Sequence, residues 1–253
     1  IDVGAADATV LSHGHYDHTG GLVATLRLGH PLGRPKDEAL KVIVGPGFFA
    51  IKARGTHDGR LKYIGPPLTQ GEFEGLGAEF AWAPQSAEVV PGLLVTGEIE
   101  QAATWEQTPQ ELLIEGRDGS VAPDTFLEEL ALIGRTARGI VVFAGCAHRG
   151  IVSSVRAAQR AAGDERVVAV FGGAHLMSAS LDRIDRTAEA LLSFDPELVA
   201  LGHCTGARAE ARLASALGDR FRPLRAGAVF DVDSTAVDQA GPPQAAKGRA
   251  AST

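Results

Sequence analysis

Residues 8–29, "ATVLSHGHYDHTGGLVATLRLG", decide how the rest of the chain is read. A short apolar run over 8–12 predicts a strand, and three histidines and an aspartate follow within six positions. The chain then takes up helical spacing over 20–29, with Leu22, Val23 and Leu26 on one face. His13 and His15 are two residues apart at the strand end, where alternation points both side chains to the same side, so two imidazoles can approach one ion. Asp17 and His18 come after the chain begins to turn and can supply an oxygen and a nitrogen to a neighbouring position. Imidazole and carboxylate suit zinc, iron or manganese, and a catalytic site keeps one position open for water. Gathered imidazoles repel one another when protonated and cost free energy when buried unpaired, and a divalent cation compensates both effects. The competing reading is a solvated, histidine-rich loop.

The strand, polar motif and helix recur three times in the second half. "GIVVFAG" (139–145) reads as a buried strand, "CAHRG" follows, and Ile151, Val152, Val155 and Ala158 then recur at helical spacing up to a stop at Gly163. "RVVAVF" (166–171) leads through "GGAHL" to a helix with Leu181, Ile184, Ala188, Leu191 and Leu192 on one face, ended by Pro196. "LVAL" (198–201) leads through "GHCTG" to a helix with Leu213 and Leu217 inside and Gly218 at its end. Four strands thus deliver histidine-bearing loops at their C-terminal ends, the edge of an α/β sheet where ligands gather. His148, His175 and His203 are marked in this way, whereas the isolated His30 and His57 read as ordinary surface or core histidines.

Between residues 40 and 135, "KVIV", "LKYI", "EFAWA", "LLVT" and "ELLIE" are separated by turns rich in Gly and Pro, which predicts antiparallel sheet. Loops 53–60 and 97–110 lack periodicity and are candidates to border a pocket. Residues 1–232 read as one domain, and 233–253, small and polar with little to bury, as a disordered tail. With 253 residues, 45% of them hydrophobic, the chain can bury a substantial core. A net charge of −7 with mixed signs disfavours a nucleic-acid partner. No run is long enough to cross a bilayer and no signal peptide is recognisable, which predicts a soluble, cytoplasmic protein without membrane association. Cys146 and Cys204 are too few and too far apart for a disulfide framework. The expected partner is a small-molecule substrate; homo-oligomers are compatible with the sequence, which leaves the oligomeric state open.

"HGHYDH" is the H-x-H-x-D-H pattern of the metallo-β-lactamase superfamily. "LSHGHYDHTGGL", "GCAHRGIVSSV", "GGAHL" and "HCTG", in that order, resemble the branch of the dihydropterin-methyl ribofuranosylaminobenzene phosphate synthase and its metal-dependent hydrolase relatives. The resemblance covers roughly residues 3–232. It implies a four-layer αββα sandwich with a metal centre at the edge between two sheets. It further implies that His13, His15 and His148 hold one metal and that Asp17, His18 and His203 hold a second, with zinc the first expectation and iron or manganese alternatives.

The chain departs from the family pattern in several places. Where the superfamily has a bridging aspartate in a "TGD"-like turn, this chain has "FAGCAH", so Cys146 either takes that position or packs. Gly45 stands where branch members often carry a histidine, and "TGEIEQ" lacks the arginine that usually follows. Strands that normally precede the histidine cluster are missing, as in a fragment, a shortened variant or part of an assembly that completes the sheet.

The leading reading is metal-assisted hydrolysis of a small ester, lactone or phosphoester by activated water. Asp17 would position metal and hydroxide, and His175 would assist the leaving group. His175 has three other readings: metal ligand, substrate donor, or hydrogen-bonding partner of a neighbouring loop. The alternatives for the whole chain are a pterin-type transferase on the same metal site, a thiol hydrolase using Cys146 with His148, and a truncated homologue that binds metal without turnover.

Overall fold

A computed structural model describes residues 5–29, 39–116, 118–232 and 238–240. The chain enters as β1 (Ala8–Val10), turns through the single-turn α1 (Tyr16–Thr19) into α2 (Leu22–Gly29), and continues as β2 (Leu40–Val44). β3 (Lys52–Gly55) and β4 (Leu61–Tyr63) form a hairpin, and α3 (Gln70–Gly75) leads to β5 (Ala78–Trp82). A second hairpin, β6 (Gln85–Val90) and β7 (Leu93–Gly97), is followed by β8 (Leu112–Glu115) and β9 (Val121–Pro123). The second half runs β10 (Leu132–Thr136), β11 (Gly139–Phe143), α4 (Ile151–Ala162), β12 (Val167–Gly172), α5 (Leu181–Ser193) and β13 (Leu198–Leu201). It continues as α6 (Ala207–Leu217), β14 (Phe221–Pro223), β15 (Val229–Asp231) and β16 (Asp238–Ala240).

Two sheets face each other between helical layers, the αββα arrangement expected from the sequence. β1-β2-β5 is a parallel sheet, and its outer face packs on α2 and α3 through Leu26, Val42, Phe48 and Phe73. The larger sheet has the order β14-β13-β12-β11-β10-β7-β6, parallel from β11 to β14 and antiparallel beyond. Alternation along its strands divides the core. Ile140, Val142, Val199 and Leu201 face α4, α5 and α6, while Val141, Ala169, Leu198 and Ala200 face the other way, towards Phe230 and Val232. Ile43, Ala83, Val95 and Leu130 form the apolar layer between the sheets. A third, antiparallel sheet, β4-β3-β8-β9, stands beside the sandwich and supplies one wall of the site described below.

Several expectations need correction. "KVIV" and "EFAWA" form parallel strands, because α2 and α3 carry the chain from β1 to β2 and from β2 to β5. "LKYI", "LLVT" and "ELLIE" do join antiparallel pairs. On α5 the buried face is Ile184, Thr187, Ala188 and Leu191, and Leu181 and Leu192 are exposed: Leu181 opens the helix and Leu192 lies about 100° round from Leu191. Within the expected tail, Asp238–Ala240 pairs with β15; the rest of that tail, and His30, lie outside the described residues. Among the described residues no helix is long and apolar enough to cross a membrane.

The N-terminus of α4, the helix that follows His148, is capped from a distance. Its first flanking residue, Gly150, has no side chain to offer, and the Glu106 carboxylate in the loop before β8 takes that place. Glu106 accepts from the Val152 and Ser153 amides at 2.8 and 2.9 Å and from the Ser153 hydroxyl at 2.7 Å, while buried from solvent. Charge-assisted bonds to a helix N-terminus in a dry setting are among the stronger ones. Glu106→Ala is expected to lower unfolding free energy by about 3 kcal/mol in denaturant titration; a loss within experimental error would show that the cap contributes nothing.

Candidate metal centre

The C-terminal ends of β1, β11, β12 and β13 meet at one edge and carry "SHGHYDH", "GCAH", "GGAH" and "GHCTG" to a common point. The structure thereby brings His13, His15, Asp17, His18, His148, His175 and His203 together. His57 is exposed at the tip of the β3–β4 hairpin and joins no cluster.

The site has two halves. In the inner half, His13, His15 and His148 present ring nitrogens within 4.8 Å of one another. Their ring centroids form a near-equilateral triangle, with 4.7 Å from His13 to His15, 4.8 Å from His13 to His148 and 4.9 Å from His15 to His148. All three are buried, yet His13 Nε2, His15 Nε2 and both nitrogens of His148 have no hydrogen-bond partner among the described residues. Buried polar nitrogens without partners are costly, and the chemistry that satisfies three converging imidazoles is a metal ion. His13 Nδ1 lies 3.0 Å from the Ser12 hydroxyl, which fixes the ring with Nε2 facing its partners. Gly145 permits that approach, since a Cβ there would stand 2.1 Å from Ser12 Oγ.

In the outer half, Asp17, His18, Cys146 and His203 bring one ligand atom each within the same 4.8 Å. Asp17 Oδ2 is 3.2 Å from His203 Nε2 and 3.6 Å from His18 Nε2, and His18 Nε2 is 3.1 Å from Cys146 Sγ. The halves are adjacent, with 4.3 Å between the rings of His13 and His18. Cys146 therefore pairs with His18, not with His148 as a thiol–base dyad would require.

Behind the inner triad lies a support that the sequence did not announce, built from the segment between β9 and β10. Phe126 stacks on His148 with 4.0 Å between centroids and 9° between planes, and meets His15 edge-on at 5.3 Å. Asp124 accepts from the Phe126 amide at 2.7 Å and from Lys52 Nζ at 2.6 Å, and Glu128 takes a second Lys52 contact at 2.7 Å. Glu129 accepts from the His148 and Arg149 amides at 2.8 and 2.7 Å. The same segment explains Gly45: a Cβ there would stand 2.0 Å from the Glu128 carbonyl oxygen, so the histidine of branch relatives has no room.

Backbone strain concentrates here. Among the described residues, six that are not glycine have positive φ, and four of them, Phe126 (52°), Ala147 (51°), His175 (46°) and His203 (53°), line this edge. Such conformations cost free energy and persist where the surroundings over-determine them, as at preorganised sites. The left-handed Ala147 separates Cys146, in the outer set, from His148, in the inner one.

Burial holds the imidazoles neutral. It lowers His13 and His148 well below the usual histidine range, reinforced by neighbouring imidazoles, and lowers His15 to about 4, reinforced by Lys52. His18 and His175 are also lowered by burial, and His175 feels Arg183 in addition. On Lys52 burial works downward, but the Glu128 and Asp124 carboxylates outweigh it and the net shift is upward. Burial raises Glu129 to about 7 and raises Glu106 and Glu128 as well.

These shifts set an acid limit for the metal-free protein. Histidines whose folded pKa is depressed stabilise the fold above about pH 6.5, their unfolded value, and that stability is lost as pH falls towards the folded value. The raised carboxyls act in the opposite sense, losing stability as pH rises from about 4.5 through 7. His13 and His148, held well below the ordinary range, add to His15 and outweigh the raised Glu129, so the imidazoles govern. His15 alone accounts for about 2 kcal/mol between pH 7.5 and pH 5, and chelator-treated protein should show a lower denaturation midpoint at pH 5. A midpoint that rises on acidification would contradict the neutral, buried imidazoles.

His15 and His148 of the inner half and Asp17, Cys146 and His203 of the outer half line a cavity of about 490 Å³. His175 lines it 4.4 Å from the His148 ring, belonging to neither metal-ligating set. Arg54 and Lys62, on the wall contributed by β3 and β4, also line it and are exposed. Arg54 falls in the 53–60 stretch that the sequence marks as a candidate pocket border, whereas Lys62 and the Phe126 support carried no sequence signal, because a single basic residue on a strand and acidic residues in a loop read as surface.

No family model matches the chain. The 7,8-dihydropterin-6-methyl-4-(beta-D-ribofuranosyl)-aminobenzene-5'-phosphate synthase of Methanocaldococcus jannaschii is 29% identical over 232 residues, spanning 91% of this chain and 76% of that protein. An uncharacterized protein of the same organism, MJ0448, is 27% identical over 207 residues, spanning 82% of this chain and 72% of its own. Among solved structures, Tm1679, a metal-dependent hydrolase of the β-lactamase superfamily, superposes with a TM-score of 0.70 at 24% identity, covering 86% of this chain and 76% of that one. With its two facing sheets, its histidine-bearing strand ends and these relatives, the chain has the fold of the metallo-β-lactamase superfamily and resembles the branch of the dihydropterin-methyl ribofuranosylaminobenzene phosphate synthase.

Proposed function

We propose that the protein is a metal-dependent hydrolase of small anionic esters, with phosphoesters as the preferred class. The observation that carries this reading is the inner triad: three buried, converging imidazoles with nitrogens unpartnered among the described residues, two of the three, His15 and His148, lining a cavity. His13, His15 and His148 would hold one divalent ion, zinc first among the candidates, with Asp17, His18 and His203 beside it for a second. An ion bound there would supply Lewis acidity, making a water acidic enough to ionise near neutral pH and polarising the substrate oxygen.

The chain's own residues do the rest. Asp17, whose Oδ2 lies between His18 and His203, orients the attacking water and accepts its hydrogen bond. His175, kept neutral by burial and lining the cavity beside His148, is placed to donate a ring N–H hydrogen bond to the leaving oxygen. Arg54 and Lys62 favour an anionic group at the mouth, and Arg54 stands only at the limit of ion pairing with Glu111, at 3.9 Å. This is the reason to rank phosphoesters above lactones and neutral esters. Replacing both Arg54 and Lys62 with alanine should raise KM for a phosphodiester about tenfold or more while leaving a neutral ester little changed, since each exposed contact to the anion is worth about 1 kcal/mol. Thorough metal stripping should abolish turnover of phosphoesters, lactones and neutral esters alike, and turnover that survives it would defeat the proposal.

The relative at 29% identity favours a second reading, a pterin-type synthase that uses the same metal site to join a pterin to an aminobenzoate derivative. Incubation with such partners separates the two readings, because a joined product and not a hydrolysed one would form.

A further inference from the structure

Cys146 is a ligand, we propose, and not packing: its thiolate completes the outer half of the centre, so the second metal site consists of one carboxylate, two imidazoles and one sulfur. This inference rests on the metal-centre reading above and adds a donor to it. The geometry carries it. Cys146 Sγ lies 3.1 Å from His18 Nε2 and within 4.8 Å of the ligand atoms of Asp17 and His203. Asp17, His18 and His203 leave a tetrahedral ion one donor short, and the only buried member of the outer set is this cysteine. Ala147, in the left-handed conformation, lets Cys146 serve the outer set while His148, two residues on, serves the inner one.

The consequence is selectivity. A site of oxygen and nitrogen donors accepts manganese or magnesium readily, whereas one thiolate among four donors shifts preference to zinc and to other ions that bond sulfur well. Binding converts the Cys146 thiol and the free ion into a metal–sulfur bond and one proton released to solvent, with no change of oxidation state. Cys204 is a neighbour of a different kind. Its Sγ donates to the Cys146 carbonyl oxygen at 3.5 Å, and it belongs to neither ligand set.

The test uses cobalt(II) as a spectroscopic stand-in, titrated into the metal-free full chain. Two ions should bind the unaltered protein, with a near-ultraviolet thiolate-to-cobalt band growing with one of them and one extra proton released. In Cys146→Ser that band should vanish, affinity for the second ion should fall by at least about 100-fold, and the visible bands of the ion on His13, His15 and His148 should persist. Cys204→Ser should keep the thiolate band. Its disappearance in Cys204→Ser, its persistence in Cys146→Ser, or two bound cobalt ions without such a band in the unaltered protein would each overturn the assignment of Cys146. Those results leave metal-dependent hydrolysis standing; failure of the unaltered chain to bind cobalt at all would sink both readings. The unaltered chain and Cys204→Ser decide the matter even if Cys146→Ser does not fold.

Discussion

Replacing His148 with alanine is expected to lower turnover of a phosphoester by at least roughly 1,000-fold, a small part of what lowering a water pKa from about 15.7 to about 7 can supply. His148 is one of three donors in the inner triad, and neither of its nitrogens has a hydrogen-bond partner among the described residues. Its removal leaves two imidazoles, too few to hold the ion against solvent. The ring is also stacked on Phe126, so part of its packing goes with it and a modest drop in melting temperature should accompany the loss. The measurement is kcat and bound metal on the same preparation, with circular dichroism to establish the fold. A folded His148→Ala protein that keeps its metal and more than a tenth of its turnover would show that the triad is not the centre of the chemistry.

The second large effect lies behind the site. Lys52→Met is expected to cost about 3–5 kcal/mol of stability, because it leaves the Asp124 and Glu128 carboxylates buried without their counter-ion. Lys52 is fully buried with its Nζ 2.6 and 2.7 Å from those two groups, and the same Nζ lies 5.1 Å from the Phe126 ring centre. The network ties β3 to the segment that carries Phe126 and Glu129, and those two position the ring and backbone of His148. Metal affinity should therefore weaken together with stability. Replacing all three members with apolar residues of similar volume should recover much of the stability without restoring affinity. Denaturant titration and metal titration on the single and triple variants check both parts, and a Lys52→Met protein as stable as the parent would show the cluster to be energetically idle.

The sequence disclosed the second half of the fold more readily than the first, for a physical reason. β11, β12 and β13 are largely covered on both faces, so they read as near-continuous apolar runs, and each is followed by a helix long enough to display its period. α4 stops where Gly163 adopts the left-handed conformation, as its sequence indicated. In the first half α3 is only six residues, "QGEFEG", too short for periodicity to reveal a crossover, and the parallel β2–β5 pair was read as antiparallel for that reason.

The site divides in the same way. His13, His15, Asp17, His18, His148 and His203 were marked by crowding or by position at strand ends, signals local to the chain. The Lys52 network, Phe126 and the cap from Glu106 arise mainly from contacts between residues far apart in the chain, which no local pattern records: Lys52 meets Asp124 across 72 positions, and Glu106 meets Val152 across 46. Cys146 stood between, visible as a departure from the family pattern, and its neighbours emerged only with the geometry.

The central claim is that imidazoles from separate strand ends share a divalent cation. Elemental analysis of the purified chain tests it most directly, counting metal per chain in the unaltered protein and in His13→Ala. At least one equivalent of a divalent metal, predominantly zinc, is predicted in the first, and a substoichiometric amount in the folded variant. A fully active protein without bound metal, or a His13→Ala variant with undiminished metal, would contradict the account.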